Sequence, residues 1–158
     1  MNNYFKKISS GFTILEAVIT ISIIIIIGAA VVISFGNSSK VQILAGAEGD
    51  VISLLNTARE NTISSLNSTN YSVHFQSDKA VMFIGSTYTA NLSTNVTVTF
   101  DSSVTMSSIS LTGAGSNVTF DRITGTTAED GTLTLISGGN NSISKTITII
   151  KTGLVSGS

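Results

Sequence analysis

Apolar positions along the chain follow three successive patterns. From Ala17 to Phe35 there is no charge and no Asn or Gln, only aliphatic residues, Phe, Gly and a few hydroxyls. At ~1.5 Å per helical residue the run is ~28 Å long, close to the ~30 Å of a bilayer's hydrocarbon core. This predicts a membrane-spanning helix over 12–35. Beyond it, Val41, Leu44, Ala47, Val51, Leu54, Leu55, Ala58, Thr62 and Leu66 recur at spacings of three and four. Lys40, Gln42, Glu48, Asp50, Asn56, Arg59 and Glu60 fall on the other face, so the same helix continues over 36–66 in amphipathic form. Pro is absent, and any bend would sit at Gly28, Gly36 or Gly46.

After Leu66 the period changes. Asn67-Ser68-Thr69-Asn70 ends the helical pattern, and Tyr71–Phe75 and Lys79–Ile84 alternate about a turn at Gln76-Ser77-Asp78, which predicts a hairpin. Further strand signals lie at Val96–Phe100, Met106–Leu111, Val118–Phe120, Leu133–Ile136 and Thr146–Ile150. They are separated by Gly113-Ala114-Gly115, Thr124-Gly125-Thr126 and Gly138-Gly139-Asn140-Asn141. Residues 67–158 are thus expected to form an antiparallel β head, with Ser and Thr facing solvent. Packing that sheet on the amphipathic half of the helix gives an α+β fold in which both apolar faces are covered.

The segment ahead of the apolar run is short and basic, with Lys6 and Lys7, which favours a cytoplasmic N-terminus and an exported head. An ordinary secretory signal is cut after its apolar core, whereas the candidate cut here precedes it, at Gly11. Residues 1–11 then form a leader, and the greasy helix stays on the mature protein. Glu16 is the exception within this environment. A carboxylate there costs a few kcal/mol in a bilayer and implies a partner.

With Lys6-Lys7 in the leader, Gly11 as its last residue, Phe12 next, Glu16 four residues on and an Ile/Val-rich helix behind, the chain resembles the type IV pilins and the pseudopilins of type II secretion. The resemblance implies cleavage between Gly11 and Phe12 by a prepilin peptidase and N-methylation of Phe12. It also implies that Glu16 meets the Phe12 amine of a neighbouring subunit, an attraction far stronger in a low-dielectric core than in water. The implied partners are the peptidase, other pilin or pseudopilin subunits and an assembly platform in the bacterial cytoplasmic membrane. The implied location is that membrane, crossed once with the head outside the cytoplasm, and then a pilus or pseudopilus. A finer likeness, carried by Leu54–Ile63, Val73-His74-Phe75, Val118–Gly125 and Ile147–Val155, is to the H-type pseudopilin and FimT group of minor pilins. That group implies a place at or near filament tips, and for some members DNA binding through a basic tail.

Composition narrows the alternatives. There is no Cys, so no disulfide frames the head, in contrast with many major pilins, and Cys/His catalysis is excluded. Removal of Lys6 and Lys7 with the leader leaves 6 of the 8 basic residues against 9 acidic ones, a side-chain balance of −3. This surface disfavours a general grip on nucleic acid; Lys145 and Lys151 alone make a weak patch, and nucleic acid is not an expected partner. His74 is the only histidine and reads as an exposed or edge-strand residue. No G-x-S-x-G context presents a nucleophile, and no catalytic residue is expected. Asp121, Glu129 and Asp130 cluster near glycines but lack calcium-loop spacing, so neither a metal nor another cofactor is expected. Asn-x-Ser/Thr triplets at Asn91, Asn95 and Asn117 are expected by chance in so hydroxyl-rich a chain. The sequence therefore predicts a structural filament subunit. The competing reading is a membrane-tethered binding module, or a pilin of DNA uptake.

Overall fold

A computed structural model describes residues 11–113, 115–138 and 143–158. The leader residues 1–10, Ala114 and the Gly139-Asn140-Asn141 part of one expected turn lie outside them, as do the side chains of 32–37. The chain divides between Ser38 and Ser39 into two compact units. Helix α1 (Ile14–Ile63) begins in the first and ends in the second, and its backbone is helical through Gly28, Gly36 and Gly46.

In the second unit, α1 buries Leu44, Ala47, Val51, Leu54, Leu55 and Ala58, the stripe expected from the three-and-four spacing. The helix stops three residues short of Leu66. Ser65, Asn67 and Ser68 turn the chain with positive φ, a conformation that short polar side chains tolerate better than bulky ones. Thr62, assigned to the apolar stripe, acts as a polar tie: its hydroxyl donates to Ala58 O (2.8 Å) and accepts from the Tyr71 N–H (2.9 Å). Helix end and first strand are thereby fastened without an orphaned buried group.

The strands are β1 (Tyr71–Phe75), β2 (Lys79–Ile84), β3 (Val96–Thr99), β4 (Val104–Leu111), β5 (Asn117–Thr119), β6 (Gly131–Ser137), β7 (Ile143–Ile149) and β8 (Val155–Gly157). The β1–β2 hairpin turns where expected, with Phe75 opposite Ala80. The single sheet of the sequence reading is corrected to two four-stranded antiparallel sheets, ordered β3-β2-β1-β5 and β4-β6-β7-β8. Both contribute to one core with α1: Tyr71, Val73, Phe75, Ala80, Met82 and Val118 from the first, Val104, Met106, Leu111, Leu133, Leu135, Ile147 and Ile149 from the second. Strand β8 was not expected, because Val155-Ser156-Gly157 is too short to carry an alternation signal.

The other face of the first sheet is also covered. Val81 and Phe83 are buried though they lie outside the main core, and Tyr88, from the 85–95 loop, stacks on His74 (4.0 Å between centroids) and meets Phe83 edge-on (5.5 Å). His74 is thereby corrected from an exposed or edge position to a half-buried one on an interior strand. Its Nδ1 lies 2.6 Å from Asn117 Oδ1 across the β1–β5 pair.

Two glycines make the closest turns of the head possible. Gly125 (φ +65°) lies against Ile63 and Arg59, and Gly153 (φ +76°) places its Cα side where a Cβ would fall 1.9 Å from Gly125 O. Left-handed backbone and backbone contact both oppose a side chain there. Gly153→Ala is therefore expected to destabilise the head by roughly 2–4 kcal/mol, read as a lowered unfolding temperature of the full chain in detergent; an unchanged transition contradicts the packing described.

Candidate functional site

None of the described side chains of the first unit is buried. Ile14–Val31 is long and apolar enough to cross a membrane, and none of that stretch is buried within the chain. Eleven large aliphatic side chains between Ile14 and Val31 stand exposed. At about 2 kcal/mol each, leaving them in water forfeits on the order of 20 kcal/mol of burial. The segment's hydroxyls are turned inward: Thr20 donates to Ala17 O (2.9 Å) and Ser22 to Val18 O (2.7 Å). Its polar side chains thus suit an apolar surrounding.

The three residues singled out by sequence, Gly11, Phe12 and Glu16, sit together at the entrance to this helix. Gly11 and Phe12 precede α1 and are exposed, and Glu16 lies in its first turn, also exposed. There the carboxylate faces the positive end of the helix dipole. No hydrogen bond or ion pair engages that carboxylate among the described residues.

Thr13 is the positioning residue that the sequence reading missed. Its Oγ1 accepts the Glu16 N–H (3.2 Å) and its carbonyl accepts the Ala17 N–H (3.1 Å), which makes it the N-cap of α1. The signal was legible: Thr13-Ile14-Leu15-Glu16 has the S/T-x-x-E spacing of a capping box. Thr13 fixes the height at which the helix starts, and so the place of Glu16 relative to Phe12.

The polar face assigned to 36–66 needs correction at two positions. Glu48 is buried, its Oε2 3.3 Å from Lys145 Nζ and its Oε1 accepting the Ser158 N–H (3.0 Å); Lys145 also donates to Ser158 O (2.6 Å). Arg59 is half-buried and donates from Nε to Gly125 O (3.0 Å) and from an Nη to Thr152 O (3.4 Å), joining the 121–127 and 150–154 turns. Lys145 is thus consumed by the head and is not part of a basic patch. Of the acidic candidates, Asp121 accepts from the Thr126 hydroxyl (3.0 Å), Glu129 from the Thr119 N–H (3.1 Å) and the Thr127 hydroxyl (3.0 Å), and Asp130 from the Thr112 hydroxyl (2.8 Å). Among the described residues no group of three such ligands converges on one point.

This architecture, a β head on the amphipathic half of a helix whose other half is bare and apolar, agrees with a family match: the model for type II transport protein GspH covers residues 49–153. The chain belongs to the GspH family. Among curated proteins and solved structures, none matches it. The GspH match runs from the second half of α1 to the Gly153 turn, which includes both sheets except β8. Membership makes the chain a pseudopilin-type subunit of type II secretion, structural in role and associating with other pseudopilins. The bare helix fits membrane anchoring before entry into a pseudopilus.

Because the cap acts locally, Thr13→Ala is expected to cost the first turn about 1 kcal/mol while sparing the head. Amide exchange of the full chain in detergent should quicken several-fold at Glu16 and Ala17 and stay unchanged in β1 and β6. Uniform protection at Glu16 in the variant contradicts the capping role.

Proposed function

We propose that the chain is a minor pseudopilin, cut between Gly11 and Phe12 by a prepilin peptidase, N-methylated on Phe12, and drawn from the membrane into a type II secretion pseudopilus by bundling of its apolar helix. One observation carries this reading: an apolar helical stretch, Ile14–Val31, none of it buried, with a single carboxylate at its entrance, on a chain of the GspH family. Lipid covers such a helix in the membrane, and other helices cover it in a filament. The apolar surface alone is indifferent to how far one helix slides along the next. Glu16 removes that freedom, because in a low-dielectric bundle it is stable only beside a cation.

The cation available at the right height is the amine that cleavage creates on Phe12. In the neighbouring subunit that amine stands four residues before Glu16, a displacement of ~6 Å along a helix. Pairing between subunits therefore sets an axial step and neutralises two charges at once. The peptidase, the assembly platform and the head's exported orientation belong to the same reading, supported by the basic leader and the position of Gly11.

Glu16→Ala is expected to leave membrane insertion and head folding intact and to reduce incorporation into filaments by about tenfold or more. Shearing and quantifying assembled against membrane-held protein checks this. Incorporation at the wild-type level rules out the register role.

A further inference from the structure

The edges of the two sheets are unequally protected. They are β3 and β5 in the first sheet, β4 and β8 in the second. An open edge offers unpaired N–H and C=O groups to any strand that comes alongside, and proteins blunt it with bulges, short strands, charges or covering elements. Strand β5 is three residues long, and its Thr119 N–H is taken by Glu129 Oε2 (3.1 Å), an oxygen that the Thr127 hydroxyl also holds (3.0 Å). Strand β8 is as short, and its Gly157 lies so close to α1 that a Cβ would fall 2.3 Å from Glu48 Oε1. Strand β4 carries a bulge between Met106 and Ser108, and its Met106 N–H donates to Ser77 O (2.9 Å), outside that sheet.

Strand β3 has none of these devices. Val96-Thr97-Val98-Thr99 runs into Phe100 with no charge, Gly or Pro, and pairs with β2 without a bulge, from Thr99 opposite Lys79 to Val96 opposite Met82. Val98 packs against the core, whereas Val96, Thr97 and Thr99 are exposed. The Phe100 N–H donates to Asp78 O (2.9 Å). By the alternation of an antiparallel ladder, the backbone groups of Val96 and Val98 then face β2, and those of Thr97 and Thr99 face the free side. Among the described residues no backbone group bonds them there.

We propose that β3 is the seam along which two copies of this chain pair head to head in the membrane, outside any filament. Self-complementarity of the edge selects a second copy. Placed antiparallel about a two-fold axis through Val98, each Thr97 meets Thr99 of the other copy in a hydrogen-bonded pair, and Val98 faces Val98. A register centred on Thr97 is poorer, because it calls on the Asn95 N–H, already given to Leu92 O (3.1 Å). Cross-strand Thr–Thr pairs are favourable neighbours, and the strand brings no like charges together. The joined sheet runs β5-β1-β2-β3 and back in reverse through the second copy, so both of its outer edges are β5, which Glu129 closes. Growth therefore stops at a pair. Subunits in a filament associate head to tail, whereas this contact is isologous and closed, so family membership does not imply it. The contact itself is independent of Glu16 and of the filament reading.

Because the chain has no Cys, introduced thiols report the register directly. Two differently tagged forms of the full chain, one with Thr97→Cys and one with Thr99→Cys, are produced together in their native membranes and mildly oxidised. The seam brings position 97 of one copy within about 5.5 Å of position 99 of the other, Cα to Cα, inside the reach of a disulfide. Like positions stand about 8–9 Å apart, beyond it. The mixed disulfide is expected at about tenfold or more the yield of either variant produced alone. Thr97→Pro in the Thr99→Cys form removes a donor on the free side and should lower that yield several-fold, with an unchanged unfolding temperature verifying the head; the ratio of mixed to single yields decides without it should that variant unfold. Glu16→Ala in both forms should leave the yield unchanged. Equal mixed and single yields, a mixed disulfide confined to sheared filaments, indifference of a folded proline variant, or loss of the disulfide with Glu16→Ala each overturn the seam. Incorporation scored on the same samples separates the two readings: a missing disulfide with Glu16-dependent incorporation removes the seam alone, and a disulfide with Glu16-independent incorporation removes the register role alone.

Discussion

The constraint on which the molecule depends is that half of one helix is left uncovered by the described residues of its own chain. Among the described side chains this 50-residue helix packs on a core from Ile43 onward, and none from Ile14 to Val31 is buried. Such a surface is incompatible with a free life in water. It needs lipid or other helices, and both are apolar enough to accept it. The same physical requirement therefore serves a membrane-held and an assembled state. In the assembly proposed above, transfer between them would exchange one apolar surrounding for another, and the Glu16 carboxylate at the helix entrance would distinguish the two by its need for a cation.

The head solves a separate problem. Its core lies entirely within residues 44–149, where α1 and two sheets share one apolar cluster. Few charges take part, and those that do are ties between elements: Glu48 with Lys145 and the Ser158 backbone, Arg59 with two turn carbonyls. Each joins the helix to the last third of the chain. Because a buried ion pair gains little net stability but is costly to leave half-made, such ties favour a single arrangement over alternatives. The outcome is a head that displays turns at a fixed angle to the helix segment it packs on, with Ile123 and Leu154 outward.

Legibility in the sequence followed periodicity. The helix, its apolar stripe, the β1–β2 hairpin and most strands were readable because burial imposes periods of 3.6 and 2 on neighbouring residues. Division into two sheets was not, since which strand pairs with which is decided by contacts between distant residues such as Ser72 and Thr119 or Val104 and Ser137. His74 was misplaced for that reason: an interior strand and an edge strand alternate alike, and the covering Tyr88 comes from an irregular loop. Glu48 and Arg59 looked like solvent-facing charges because their partners lie 66 to 110 residues away. At the entrance, Gly11, Phe12 and Glu16 were legible as a pattern, and Thr13, which was legible by the capping rule, was overlooked.

The central claim is that the bare helix begins the mature protein and presents a free amine one turn ahead of its carboxylate. Intact-mass and N-terminal peptide spectrometry of the protein recovered from its native membrane tests it most directly. The account predicts a chain that starts at Phe12 and carries one added methyl group on its amine. A chain that retains Met1 and the residues up to Gly11 contradicts it, because Glu16 would then have no amine at that height to meet.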